Sequence, residues 1–158
     1  MEKFQVTNID VRCIDCHIVN IQNKTPYYLI LKRSENIIYP NIWQCVTGKI
    51  NSEETPIQAS IREVKEETGL EPINLWTIDS VNQYYDYTNN SMNLIPIFGM
   101  LVDKIKIVLS DEHQEYQWLD FKKAKNQLLW NNQKNGLESF NEIILNPKSE
   151  KNNILKIL

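Results

Sequence analysis

The chain has 158 residues, of which 42% are hydrophobic and 23% are charged, and this composition is typical of one folded domain and excludes an intrinsically disordered chain. Its 17 Lys and Arg residues against 20 Asp and Glu residues give a net charge of −3. No overall positive field therefore favours a nucleic-acid duplex or an anionic membrane surface as a partner. No apolar run approaches the about 18 residues of a membrane span, and residues 1–10 lack the pattern of a secretory signal, so we expect a cytoplasmic protein.

The first part of the chain has the composition of β-strands. β-branched and aromatic residues predict strands over 11–21 and 27–31, joined by a turn at 24–26. A short third strand is predicted over 42–46, after a loop that contains Pro40.

A helix with clear ends follows these strands. Thr55 is a predicted N-cap, because Pro56 suits the first helical position and Gln58 is correctly spaced to close a capping box. Gly69 suits a left-handed residue directly after the last turn. The sequence therefore predicts a helix over 56–68.

The second part of the chain favours more strands and a helical end. A turn is predicted at 89–91, and two helices are predicted from the cap Asp120 to about residue 130 and over 137–145. Apolar and aromatic runs predict four further strands, over 73–85, 92–102, 104–109 and 115–119.

This order of elements predicts the fold class. Strands around one central helix, with helices at the end, indicate an α+β protein or an α/β sandwich with a mixed sheet. We expect one domain over residues 1–146, because no repeat or linker interrupts it. The tail, residues 147–158, is either an amphipathic contact or a frayed end, and we favour the frayed end.

The predicted helix over 56–68 carries a group of glutamates. At 100° per residue its buried stripe is predicted to contain Ile57, Ile61, Val64 and Thr68. Glu63, Glu66 and Glu67 then share one solvent-facing arc, where like charges repel unless a cation lies among them. Such oxygen ligands suit Mg²⁺, with Mn²⁺ as a substitute. The alternative is an ordinary solvated helix face.

A wider pattern favours the metal. From Gly48 through Glu54 to the run 62–70, the sequence resembles the Nudix box, G-x5-E-x7-R-E-U-x-E-E-x-G-U with U apolar, at every specified position. The resemblance implies an α/β/α sandwich around a mixed sheet, and a loop–helix–loop that presents glutamates to a metal-bound diphosphate.

The resemblance also implies roles for single residues. Glu63, Glu66 and Glu67 would be metal ligands, together with the carbonyl of Gly48. Arg62 would hold the loop and the helix in register through an ion pair with Glu54, and Arg62 and Glu66 would belong to the catalytic group. The reaction implied is attack of water on a phosphorus of a nucleoside-diphosphate derivative.

A further carboxylate is expected to complete this site. Glu112 and Glu115 both come just before the predicted strand at 115–119. The pattern E-H-x-x-Y-x-W-L resembles one branch of the family and favours Glu112 as the base or a further metal ligand. A solvated acidic loop is the alternative.

That branch is the bacterial dihydroneopterin triphosphate pyrophosphatases, also called dATP pyrophosphohydrolases. Residues 43–48, 118–120 and 130–132 resemble it as well. The resemblance implies cleavage of a (deoxy)nucleoside or dihydroneopterin triphosphate to a monophosphate and pyrophosphate. A dinucleoside polyphosphate or nucleotide-sugar hydrolase remains an alternative, and so does a non-catalytic nucleotide sensor.

The same interpretation names substrate contacts. Arg33 and Thr47 are expected to bind the triphosphate, with Lys49 beside them, although a small residue is more usual at position 49. Trp43 is a candidate for stacking on the base, and packing in the core is its alternative. The partner we expect is a nucleotide-like small molecule bound to a monomer or homodimer.

The motif C-x-x-C-H at residues 13–17 is not interpreted as a haem or zinc site. In a strand, Cys13 and Cys16 have opposite parity and point to opposite faces, and a zinc site needs a second pair of ligands. With three cysteines in the chain, reduced thiols are expected.

Overall fold

The computed structural model describes residues 5–158, so the first four residues of the predicted domain lie outside the described part. In this part of the chain, one mixed eight-stranded sheet lies between helices. Its strands are β1 (Asn8–Asp10), β2 (Cys13–Gln22), β3 (Thr25–Arg33), β4 (Trp43–Gln44), β5 (Val46–Lys49), β6 (Asn74–Asp86), β7 (Ser91–Leu101) and β8 (His113–Leu119). Its helices are α1 (Pro56–Thr68), α2 (Phe121–Gln127), α3 (Asn131–Leu145) and α4 (Glu150–Leu155).

Strand β2 lies at the centre of the sheet. It runs parallel to β7 on one side and antiparallel to β5 and β3 on the other. β7 also pairs with β1, which is parallel to it, and with β6, which is antiparallel and lies along its other edge. β3 also pairs with β4 and β8, both antiparallel and on opposite edges of β3. The predicted fold class, a mixed-sheet sandwich of α and β elements, is confirmed.

Alternation along β2 divides the interior into two cores. Ile14, Cys16 and Ile18 point to the face that α1 covers, where they pack with Val64. Val19 points to the other face, among residues of α2 and α3. Two polar residues of the same parity, Asp15 and His17, therefore face α3 and are buried there.

Helix α1 has the predicted bounds and ends. The Thr55 hydroxyl accepts a hydrogen bond from the Gln58 amide, and the Gln58 side chain accepts one from the Thr55 amide. Gly69 is left-handed with φ 74° and donates its amide to the Lys65 carbonyl. Together these caps satisfy backbone groups that a helix end leaves unpaired, and they fix the loop that precedes the helix.

Several predicted boundaries are wrong. The turn lies at Asn23 and Lys24, which have positive φ, so residues 25–26 already belong to β3. The segment predicted over 42–46 is two strands, β4 and β5. Helix α2 ends at Gln127 because Leu128 turns extended and is buried in the second core, and α3 starts at Asn131 instead of 137.

The segment 104–109 is not a strand, although its composition predicted one. It crosses the end of α1, where the Val108 amide donates to the Thr68 carbonyl, and Ile107 fills the first core. Because no strand lies alongside it in the described chain, its apolar residues pack without forming a ladder.

The tail is docked, so the expectation of a frayed end is wrong. Asn152 of α4 is buried and accepts a hydrogen bond from Trp76 Nε1 at 3.2 Å. The Ile157 amide donates to the Leu75 carbonyl at 2.7 Å, which extends the pairing of β6. The domain limits themselves stay a prediction. Within residues 5–158, no helix is long and apolar enough to cross a membrane.

Candidate active site

The buried face of α1 differs from the predicted one. Val64 and Thr68 are buried as predicted, but Ile57 is exposed and Ile61 only partly buried. Ser60 and Glu67 are buried instead. The prediction oriented the helix by its apolar stripe alone, and this orientation places Glu67 on the solvent-facing side. The structure instead places Glu67 inside the protein, leaves Glu63 partly buried, and exposes Glu66.

Glu67 is 2% exposed, and neither of its carboxylate oxygens has a hydrogen-bond partner among residues 5–158. Burial, with the charges of Glu112 and Glu63 nearby, raises the pKa of Glu67 to about 9. His113 Nδ1 lies 3.7 Å from Glu67 Oε2, which is too far for a hydrogen bond. Burial lowers the pKa of His113 to about 4, so this imidazole is neutral near pH 7 and does not compensate the carboxylate.

Arg62 connects the other acidic residues. Its Nε and Nη2 each donate to the Glu54 carboxylate at 2.8 Å, and its Nη1 donates to Glu63 at 2.7 Å and Glu66 at 3.1 Å. Arg62 Nη2 also donates to the Lys49 carbonyl. The paired guanidinium lowers the pKa of Glu54 to about 2. Arg62 therefore ties the loop to the helix, as the resemblance implied.

Gly48 creates the space that Glu63 occupies. A Cβ atom at position 48 would lie 2.1 Å from the Glu63 side-chain Cδ atom. No side chain fits there unless Glu63 moves. The Glu63 side chain is 14% exposed, so this carboxylate is also poorly solvated, and burial raises its pKa.

A cleft of about 910 Å³ opens beside these residues, a volume typical of small-molecule sites. The structure brings six of the predicted site residues to its wall: Arg33, Thr47, Gly48, Lys49, Glu63 and Glu112. Arg62 lies next to this wall through its hydrogen bond to Glu63, and Glu66 is bound in turn to Arg62. Glu67 lies near enough to Glu63 and Glu112 for their charges to raise its pKa.

The two candidate glutamates before β8 have different surroundings. Glu112 is exposed at the cleft wall and close enough to raise the pKa values of Glu63 and Glu67. Glu115 points instead to Lys32 Nζ at 3.5 Å. Of the pair, only Glu112 faces the cleft.

Trp43 does not line the cleft. Its ring packs partly buried against the second core, with Lys32 Nζ 5.9 Å from the ring centroid. The aromatic side chains at the cleft are instead Tyr39 and Trp130, which form an edge-to-face pair at 5.7 Å, and Tyr84. Sequence reasoning missed Tyr39, because it lies in an irregular loop without periodicity.

It also missed the polar floor of the cleft. Asp15, Gln44, Asn82 and Gln133 are buried polar residues from β2, β4, β6 and α3 that line the same cavity. Each stands alone in the sequence, so only a polar residue in an otherwise apolar strand, as at Asp15, could have signalled them. Cys13 also lines the cleft, whereas Cys16 lies in the first core, which confirms the predicted opposite faces.

The glutamates fit a divalent cation. Unpaired buried carboxylates are costly unless a cation or protons compensate them, and carboxylate oxygens are ligands that Mg²⁺ and Mn²⁺ prefer. In residues 5–158, no three metal-ligating side chains already converge on one point, since Arg62 holds Glu63 and Glu66. A bound cation would compete with Arg62 for these carboxylates.

Comparison with known proteins identifies the family. The NUDIX domain family matches residues 12–140, most of the chain. The chain belongs to the NUDIX family. It is a NUDIX hydrolase, and enzymes of this family generally use divalent metal ions. The predicted resemblance is thereby confirmed.

Individual relatives are distant. A bis(5'-nucleosyl)-tetraphosphatase of Mus musculus is 29% identical over 110 residues, 68% of this chain and 73% of the relative. A dihydroneopterin triphosphate diphosphatase of Escherichia coli K12 is 27% identical over 121 residues, 69% of this chain and 79% of the relative. The crystal structure of a MutT protein from Methanosarcina mazei matches with a TM-score of 0.70 at 24% identity, over 92% of this chain and 100% of that one. The mouse and E. coli relatives act on different substrates by name.

Proposed function

We propose that this NUDIX hydrolase is a Mg²⁺-dependent pyrophosphohydrolase that cleaves a (deoxy)nucleoside or dihydroneopterin triphosphate to a monophosphate and pyrophosphate. One observation carries the proposal. The buried, unpartnered carboxylate of Glu67 lies beside Glu63 and Glu112, and the cleft that these two line also has Arg33 and Lys49 in its wall. A metal site and cations for phosphate thus share one cavity.

The acidic residues would hold the metal. Glu63, Glu66, Glu67 and Glu112 are the candidate side-chain ligands, with the Gly48 carbonyl. When bound, Mg²⁺ neutralises the diphosphate and makes a water a better nucleophile near neutral pH. Mn²⁺ is the expected substitute because it prefers the same oxygen ligands.

Glu112 would accept the proton of the attacking water. Its carboxylate is exposed at the cleft wall, without a cation bound to it in the described chain, so it is free to act as a base. Glu66 would support the same group of charges, and Arg62 would position Glu63 and Glu66 through its hydrogen bonds.

The cationic residues would bind the phosphates that do not react. Arg33 Nε donates to the Ile38 carbonyl at 2.8 Å, which fixes the guanidinium at the cleft and leaves its other nitrogens for phosphate oxygens. Lys49 is exposed at the end of β5, two residues after Thr47, and both residues line the cleft. The name of the E. coli relative supports a triphosphate as the substrate.

A dinucleoside polyphosphate is the second candidate. The mouse relative is a bis(5'-nucleosyl)-tetraphosphatase by name. The edge-to-face pair of Tyr39 and Trp130 offers exposed aromatic surface at the cleft, on which a second base could stack.

The test is a substrate panel in Mg²⁺: nucleoside triphosphates, dihydroneopterin triphosphate, dinucleoside tetraphosphates and nucleotide sugars, with pyrophosphate and orthophosphate measured separately. We expect pyrophosphate from a triphosphate, and loss of this product in Glu66→Gln. Orthophosphate from triphosphates, or turnover of dinucleoside polyphosphates alone, would contradict the proposal. Binding without turnover of any compound would favour the non-catalytic sensor.

A further inference from the structure

The floor of the cleft contains a carboxylate that the hydrolytic reaction does not use. Asp15 is 2% exposed, accepts a hydrogen bond from Asn82 Nδ2, and accepts a long one from Gln133 Nε2 at 3.5 Å. These donors are neutral amides, and no Lys or Arg of the described chain is among the groups that shift its pKa. The Asp15 carboxylate therefore keeps acceptor capacity and charge that a ligand can use.

An unpartnered donor lies in the same floor. Gln44 is 3% exposed and lines the cleft, and its Nε2 has no hydrogen-bond partner in the part of the chain that the structure describes. Buried polar groups without a partner are rare and call for an explanation. A ligand acceptor in the cleft would supply the missing partner.

The floor adjoins the acidic end of the cleft. Asp15 pairs with Thr47 across β2 and β5, and Gly48, which accommodates Glu63, is the next residue. Burial raises the pKa of Asp15 to about 6, although the nearby Thr47 hydroxyl and the Asn82 and Gln133 amides oppose the rise. At pH 8 this group is therefore mainly an anionic acceptor, next to the end where the phosphates would bind.

We propose that Asp15 and Gln44 recognise the heterocycle of the substrate, and that they select one whose edge carries N–H donors beside a carbonyl oxygen. This inference rests on the proposed function, since it takes the substrate to be a nucleotide or pterin phosphate. The carboxylate accepts from the N–H groups, and the Gln44 amide donates to the carbonyl. Asn82 and Gln133 are positioning residues that hold the carboxylate.

The hydrogen-bonding groups of Asp15 and Gln44 predict an order of affinity among heterocycles. Guanine and pterins share a 2-amino group and a ring N–H beside a carbonyl, so both satisfy Asp15 and Gln44 together. Thymine has the ring N–H and the carbonyl but no amino group. Adenine has an amino group but no carbonyl, so its edge leaves the Gln44 donor without an oxygen. We expect affinity to fall in the order guanine or pterin, thymine, adenine.

The test measures binding of monophosphates, so it does not depend on turnover. At pH 8, calorimetry on the intact protein should give a Kd for dGMP about 10-fold or more below that for dAMP, the discrimination expected of one good pair of hydrogen bonds. Dihydroneopterin monophosphate, measured beside dGMP, shows which of the two sources of this edge fits better. If the substrate panel fails, this binding preference can still hold, so the two failures are distinguishable.

Two variants assign the preference to the named residues. In Asp15→Asn the dGMP:dAMP preference should fall to about 3-fold or less, and in Gln44→Leu it should also fall, because each loses one half of the pattern. Asn132→Ala, which changes another residue of the cleft wall, should keep the preference.

Three results would overturn the inference: a wild-type protein that binds dAMP as tightly as dGMP, a folded Asp15→Asn protein that keeps the full preference, or an Asn132→Ala protein that loses it. Thermal melting identifies variants that fail to fold. If Asp15→Asn and Gln44→Leu both fail to fold, the inference is tested by the order of wild-type Kd values for the four ligands dGMP, dihydroneopterin monophosphate, dTMP and dAMP.

Discussion

The two ends of the cleft differ in the chemical groups that line them. At one end, carboxylates crowd around Arg62, and Glu67 stays buried without a partner. At the other end, a single carboxylate, Asp15, is surrounded by neutral amides. The first arrangement suits a strongly charged cation and the second a neutral heterocycle. The comparison teaches that changes at the acidic end should alter catalysis, whereas changes at the amide end should alter the choice of substrate.

The largest effect is expected from Glu67→Gln. The change keeps the shape of the side chain and removes its charge, so turnover should fall by about 100-fold or more if the carboxylate holds the metal. Thermal melting of the metal-free variant should match or exceed wild type, because a buried unpaired carboxylate is removed. Steady-state hydrolysis of a triphosphate in Mg²⁺ measures the first effect. Turnover near the wild-type rate in the folded variant would contradict this role.

The second prediction concerns Gly48→Ala. The new Cβ would meet the Glu63 carboxylate at 2.1 Å, so Glu63 must move away from its position beside Arg62. We expect kcat to fall by about 10-fold or more, with a weaker apparent affinity for Mg²⁺. Lys49→Ala, one residue along, is the control and should raise KM instead. Equal kinetics for Gly48→Ala and wild type would show that Glu63 is not needed in this position.

Glu112 and Glu115 form a matched pair for the next prediction. Glu112→Gln should lower kcat by about 10-fold or more, as expected for a base or for a ligand needed at the chemical step. Glu115→Gln should leave kcat within about 2-fold of wild type, because that side chain contacts Lys32. Rates of both variants at saturating substrate measure these effects on kcat. If Glu115→Gln has the larger loss of kcat, Glu115 is the base or ligand instead of Glu112.

A smaller and different change is expected for Arg33→Ala. A contact that binds phosphate equally in the ground and transition states raises KM with little effect on kcat. We expect KM to rise by about 10-fold and kcat to fall by less than about 3-fold. Initial rates over a range of triphosphate concentrations measure both constants. A fall in kcat alone would mean that Arg33 acts on the reacting group instead.

The acidic end also predicts how stability depends on pH. Because the pKa of Glu67 is raised from 4.5 to about 9 in the folded protein, its contribution is most favourable below pH 4.5 and is lost as pH rises towards 9. The difference in Tm between metal-free wild type and Glu67→Gln should therefore grow from pH 5 to pH 9, with the variant more stable. Mg²⁺ should stabilise the wild type more at pH 8 than at pH 5.5. A pH-independent difference would contradict the buried charge.

The two ends also differ in how far the sequence could predict them. Apart from Glu112, the acidic end lies within residues 48–70, where spacing along one helix determines which groups meet, and the predicted bounds and caps of that helix are confirmed. The burial of Glu67 was missed because the helical wheel used apolar residues alone. The amide end joins four separate elements, so only the register of the sheet brings its residues together. Local spacing carries no information about such contacts.

The fold shows the same division. The capped helix α1 could be predicted to the residue because local hydrogen bonds define it. The docked tail and the irregular segment 104–109 depend on distant partners, Trp76 and the end of α1. In both cases packing decides between conformations that the sequence alone leaves open.

The central claim is that the carboxylates around Glu67 bind a divalent cation, and a titration with Mn²⁺ followed by electron paramagnetic resonance tests it most directly. At pH 8 without substrate, wild-type protein should bind Mn²⁺, Mg²⁺ should displace it, and Glu67→Gln should bind it at least about 10-fold more weakly. Glu115→Gln should bind Mn²⁺ like wild type. If Glu67→Gln and wild type bind Mn²⁺ equally, or neither binds it, the glutamates of α1 are not the metal site.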